Sequence, residues 1–177
     1  IVLGHSEGAL IGMIASQKNE VKKFVSVAGA GISAGDIIRE QLKAQPAFIL
    51  NQSLPIIEKL ENGERVENIP QMLYPLFRPS VQPYMISWFK YNPQIEIAKL
   101  NKPILIIQGT TDIQISVSDA DKLASANKKS KKIIIEGMNH ILKEAELDRQ
   151  KNIQTYSMPY LPLKKELIKF IVKFIEE

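Results

Sequence analysis

Residues 1–10, IVLGHSEGAL, decide how the rest of the chain is read. Ile1, Val2 and Leu3 have the character of the buried end of a parallel strand, and Ala9-Leu10-Ile11-Gly12-Met13-Ile14-Ala15 that of a helix packed on a sheet. Ser6 therefore falls in a very sharp strand-to-helix turn. A turn that tight holds its central residue in a sparsely populated backbone conformation and brings its flanks together. Only small residues are expected two places either side, and Gly4 and Gly8 stand there.

G-x-S-x-G between a strand and a helix has the form of a nucleophile elbow, which lifts a serine oxygen above the sheet beside a helix N-terminus. A serine hydroxyl is a weak nucleophile, so this reading requires a base and an orienting acid elsewhere in the chain.

The chain has 177 residues, 45% of them hydrophobic and 24% charged, which suits one soluble domain with an appreciable core. Its net charge of +4 comes from scattered lysines; the local cluster Lys128, Lys129, Lys131 and Lys132 reads as a solvated loop, with no aromatic interleaving to suggest nucleic acid. Cysteine is absent, which excludes disulfides, zinc thiolate sites and a cysteine nucleophile. No apolar run approaches the roughly 18 to 20 residues needed to span a bilayer. The sequence begins at Ile1, in mid-strand and without an initiator methionine, so the natural N-terminus is expected upstream and localisation stays open.

Three further strands are expected at Lys23–Ala28, Pro103–Gly109 and Lys132–Gly137, apolar runs closed by glycine. Helices are expected over Ser116–Ala126, with Ser116 as N-cap, and over Leu163–Ile175, with Leu167, Phe170, Ile171 and Phe174 on one face. Strands alternating with helices imply an α/β fold, a parallel sheet covered on both faces. The stretch from about 32 to 99 lacks strand character and reads as an inserted helical cap, with helical pieces near 36–50, 54–60, 69–77 and 81–91. Its many apolar side chains, Phe48, Leu73, Tyr74, Leu76, Phe77, Tyr84, Met85, Trp88 and Phe89, are expected to form a cap core and in part to roof a pocket.

Two histidines exist. His5 points off its strand in the opposite sense to Ser6 and is expected to pack beneath the elbow. His140, in GMNH, follows the glycine that closes the last strand, at the carboxyl end of the sheet where sites of open α/β folds form. Asp112, in GTTD, stands in the same relation to the third strand, whereas Asp119 and Asp121 fall in the next helix, Asp36 starts the cap and Asp148 lies in the tail.

GHSEG, GTTD and GMNH together resemble the elbow, acid loop and histidine loop of the α/β-hydrolase superfamily, in its chain order Ser, Asp, His. The likeness is greatest to bacterial serine carboxylesterases and the related serine aminopeptidase-like branch, with a helical cap after the strand that follows the elbow. The resemblance implies Ser6 as nucleophile, His140 as general base and acid, Asp112 as the group fixing the imidazole, and the backbone N–H of Glu7 as an oxyanion donor. It implies cleavage of a small acyl ester through an acyl-enzyme, with no cofactor and no metal; an aminopeptidase, a thioesterase or a non-catalytic binding protein of the same shape are the alternatives. It also implies that residues 1–177 form the C-terminal part of a single domain. The first strands of the sheet, or a second chain, would then pair with the edge at Ile1–Leu3.

Overall fold

The computed structural model describes residues 1–177. The chain runs β1 (Val2–His5), α1 (Glu7–Ala15), β2 (Phe24–Val27), α2 (Ala34–Leu42), α3 (Ala47–Glu61), α4 (Tyr74–Phe77) and α5 (Gln82–Phe89). It continues through α6 (Pro93–Ala98), β3 (Ile104–Gly109), α7 (Val117–Ala126), β4 (Ser130–Ile135), α8 (Arg149–Gln154) and α9 (Lys165–Glu176). Two compact units result: Ile1–Gly31 with Pro93–Glu177, and Ile32–Asn92.

The first unit is built on a four-stranded sheet in the order β1-β2-β3-β4, every pair parallel. Gly4 pairs with Ser26, Ser26 with Ile106 and Ile106 with Lys132, so all four strands end at one edge. The central strands β2 and β3 are buried along their whole length, as continuous apolar runs in a parallel sheet require. One face packs Val25, Val27, Leu105, Ile107 and Ile135 against Leu167 and Phe174 of α9. The other face lies under α1, where a Cβ on Gly12 would come within 2.7 Å of the Phe24 ring, so helix and sheet approach closely there. Asn127, just past α7, donates to the carbonyls of Ile97 and Leu100 and ties α7 to the chain around α6.

β4 starts two residues before the expected strand and ends two before it. As an edge strand it pairs through its backbone from Ser130 onward while Lys131 and Lys132 stay exposed, which hydrophobicity alone does not reveal. Gly137 instead takes φ 69° in the turn that follows. Ser116 caps α7 in a reciprocal capping box with Asp119, the same carboxylate that accepts the Gly31 N–H. At the opposite edge β1 pairs only with β2, and Ile1 and Leu3 are about half exposed.

The second unit is helical, around Ile38, Leu42, Ile56, Ile57, Leu60, Leu73, Phe77 and Met85. Gln82, buried, closes it by donating to the carbonyls of Val66 and Phe77 and accepting from the Val66 N–H. Of the apolar side chains expected here, Leu73, Phe77 and Met85 are buried in this core, whereas Phe48, Tyr74, Leu76 and Tyr84 are exposed. The helical pieces differ from expectation in one respect: the break falls before Pro46, and α3 runs through Pro55 without interruption. Ser53, Ile56, Ile57 and Leu60 hold one face of α3 down on both sides of the proline, and that burial outweighs the missing hydrogen bond. Pro93–Ala98, at the end of the expected insertion, belongs to the first unit.

Candidate functional site

Ser6 leaves β1 with φ 56° and ψ −125°, one of three non-glycine residues with positive φ. The strained turn is held by its own backbone: the Ser6 N–H donates to Val27 at 3.0 Å, and its carbonyl accepts from Ala9 at 2.9 Å. A Cβ on Gly4 would run into the Gly8 carbonyl and lie 2.7 Å from the Ala9 Cα, so glycine is obligatory there. Gly8 is different from expectation. A Cβ at that position meets nothing within 4 Å; the crowding is of Gly4 by the backbone of Gly8 and not the reverse.

Three side chains converge from the ends of β1, β3 and β4. His140 Nε2 stands 3.0 Å from Ser6 Oγ, and His140 Nδ1 stands 2.9 Å from Asp112 Oδ2. The Asp112 side chain is fully shielded from solvent, yet all its capacity is used: Oδ1 accepts the N–H groups of Gln114 (2.8 Å) and Ile115 (3.0 Å), and Oδ2 accepts from Gln108 Nε2 (3.0 Å) as well as His140. Burial on its own would raise the Asp112 pKa; the hydrogen bond and charge of His140 and the two backbone N–H groups outweigh it and hold the carboxyl below its ordinary value. An ionised carboxylate only accepts, so Nδ1 carries the proton and Nε2 of the neutral ring presents its lone pair to the serine hydroxyl. Glu7, the residue after Ser6, opens α1, so its backbone N–H lies at the helix end where negative charge is favoured.

His5 does not simply pack beneath the turn. Its Nε2 donates to the backbone carbonyl of His140 at 2.8 Å, with the two rings 5.0 Å apart, and burial lowers its pKa. Gln108 also went unforeseen, although a polar side chain inside the run ILIIQG is itself a sign that a buried group has a hydrogen-bonding duty. The GMNH loop is seated on the end of β3, where a Cβ on Gly109 would strike the Met138 carbonyl and the Thr111 N–H donates to that same oxygen at 3.2 Å. No group of three or more His, Cys, Asp or Glu side chains is placed to hold a metal ion. No helix is long and apolar enough to cross a membrane.

No family model matches the sequence. Structural comparison finds Est1E from Butyrivibrio proteoclasticus, at TM-score 0.51 and 16% identity, covering 99% of this chain and 60% of that one. An esterase from Pyrococcus furiosus matches at TM-score 0.51 and 16% identity, over 99% of this chain and 52% of that one. The chain has the α/β-hydrolase fold. Among curated proteins, Esterase EstD from Thermotoga maritima is 26% identical over 148 residues, 80% of this chain. These matches bear out the superfamily resemblance read from GHSEG, GTTD and GMNH. The chain spans about a third of the length of that curated relative (34%).

Proposed function

We propose that this α/β-hydrolase chain carries the catalytic apparatus of a serine hydrolase acting on small carboxylic esters. The observation that supports the reading most is the unbroken chain Ser6 Oγ, His140 Nε2, His140 Nδ1, Asp112 Oδ2, at 3.0 and 2.9 Å, ending on a buried carboxylate with every lone pair engaged. Similarity to the curated Esterase EstD supports the class of reaction.

In this mechanism Ser6 Oγ attacks the ester carbonyl as its proton passes to His140 Nε2, and the resulting imidazolium is stabilised by Asp112. Negative charge developing on the carbonyl oxygen is met by the N–H of Glu7, a contribution of about 3 to 4 kcal/mol for one such donor. The alcohol departs with the proton from His140, leaving Ser6 acylated. Water, deprotonated by the same nitrogen, then attacks the acyl carbon, and the acid is released as the proton returns to Ser6. The open side of β1, at the half-exposed Ile1 and Leu3, is where a further strand, from the same polypeptide or a second chain, would extend the sheet.

A fluorophosphonate probe tests the reading. Label on Ser6, lost in Ser6→Ala, is expected; folded protein that takes up no label would sink it and favour a binding protein of the same fold. Comparing turnover of acyl esters with acyl thioesters and aminoacyl amides then separates an esterase from a thioesterase or aminopeptidase.

A further inference from the structure

α8 buries almost nothing that would justify a helix on hydrophobic grounds. Of its six residues only Asn152 is shielded from solvent, and that completely, while its one large apolar side chain, Ile153, is about half exposed. A helix docked through a single amide is held by hydrogen bonds and not by apolar burial.

That amide lies between the two loops that end in Asp112 and His140. Asn152 Nδ2 donates to the carbonyl of Thr111, the residue before Asp112, at 2.7 Å, and to the carbonyl of Glu146 at 3.1 Å. Its Oδ1 accepts from Nδ2 of Asn139, the residue before His140, at 3.3 Å. Asn139 is equally buried; its second Nδ2 hydrogen goes to Thr155 Oγ1 at 2.8 Å, and its Oδ1 accepts the Lys143 N–H at 3.0 Å. Thr155 Oγ1 in turn donates to the Asn152 carbonyl at 2.6 Å. All four amide hydrogens of the two asparagines are therefore used, in an interior where a missing partner is costly. Two residues after the helix, Tyr156 Oη accepts from Gln114 Nε2 at 3.1 Å, beside the backbone N–H that Gln114 gives to Asp112.

We infer that Asn152 is a positioning residue for acyl transfer, holding the Thr111 carbonyl and the Asn139 amide in fixed relation so that the Asp112 carboxylate and the His140 ring stay in register. Its catalytic meaning rests on the hydrolase reading above. With leucine in its place, two carbonyls and one amide hydrogen lose their partners. The two loops then lose this tie and are joined only by the bonds nearer the strand ends and by the His140–Asp112 pair itself, and a misplacement on the order of 1 Å costs up to about 10²-fold in rate.

The test is the second-order rate of fluorophosphonate labelling at Ser6, followed against pH, with the hydrogen-bonded His140–Asp112 proton recorded by NMR. Asn152→Leu, folded by circular dichroism, is expected to label roughly 10- to 100-fold more slowly and with a displaced pH midpoint. Thr155→Val, which removes both the acceptor of Asn139 and the donor to the Asn152 carbonyl while leaving the Asn152 side chain in place, is expected to slow labelling several-fold, and Thr155→Ser, which keeps the hydroxyl, to restore it. A folded Asn152→Leu with the natural rate and midpoint overturns the inference, as does equal loss in both Thr155 variants; should Asn152→Leu not fold, the Thr155 pair decides. If the unaltered protein takes no label, the hydrolase reading fails separately. The proton resonance then judges: retained in Thr155→Val, it overturns the inference; broadened there and recovered in Thr155→Ser, it upholds it.

Discussion

His5 donates its Nε2 hydrogen to the backbone carbonyl of His140 across 2.8 Å, so the residue before Ser6 holds the residue whose ring faces Ser6. The elbow and the histidine loop come from opposite ends of the chain and of the sheet order, and this bond is a direct tie between them. His5→Phe keeps a flat ring of similar bulk and deletes the donor, leaving the His140 carbonyl short of a partner. The expected result is a loss of about 10-fold in kcat with KM unchanged, read in steady-state ester hydrolysis. Unaltered kcat would show that His140 holds its place without this bond.

On the proposed mechanism, removing Ser6 or His140 itself costs far more. Ser6→Ala and His140→Ala are each expected to lower kcat by about 10⁴-fold or more, and the double variant hardly further, because the members act as a unit. Asp112→Asn keeps the shape of the side chain but offers Nδ1 an amide that can donate, favouring the wrong tautomer. A loss of roughly 10³- to 10⁴-fold is expected. A His140→Ala enzyme with even a tenth of the natural turnover would remove His140 from the mechanism.

The parts legible in the sequence are those where one strong local cause acts. The elbow announces itself because only a strand, a sharp turn and a helix accommodate GHSEG, and β3 because ILII must be buried on both faces. Asp112 and His140 could be singled out because each lies three residues past a glycine at or just beyond a strand end, at the edge where Ser6 emerges. What stayed hidden depends on contacts between distant residues. Pro55 reads as a break until the burial of Ile56, Ile57 and Leu60 is known. Asn152 sits in a polar tail, in RQKNIQ, with nothing to distinguish it from a solvated surface helix until Thr111 and Asn139 are found beside it.

Acid is expected to destabilise the first unit in two separate steps. Burial lowers the His5 pKa from its ordinary 6.5, so below that pH the unfolded chain binds a proton that the native state refuses. Stability contributed this way is complete above the ordinary value and is lost as pH falls through the window beneath it. Asp112, held below its ordinary 3.8 chiefly against the opposing effect of burial by His140 and the loop N–H groups, adds a second loss in the same direction at lower pH. Urea midpoints measured from about pH 8 down to about pH 2 should decline first below 6.5 and again below 3.8, and His5→Phe should remove the first decline alone. A decline of equal size in His5→Phe would assign it to another group.

The two glycines of GHSEG are expected to behave oppositely when each is changed to alanine. At Gly4 the new methyl would meet the carbonyl of Gly8 and the Cα of Ala9, backbone atoms that move only if the elbow opens. Gly4→Ala should therefore cost about 3 kcal/mol or more, the upper end for overpacking, and should abolish fluorophosphonate labelling of whatever protein still folds, since Ser6 φ depends on that closeness. At Gly8, already inside α1 and with open space where the methyl would go, Gly8→Ala loses nothing in packing and gains helix propensity, up to about 1 kcal/mol. Its denaturation midpoint should stand at or above that of the unaltered protein. Equal destabilisation by the two substitutions would mean that the turn is crowded from both sides, contrary to the asymmetry that the backbone geometry around Ser6 displays.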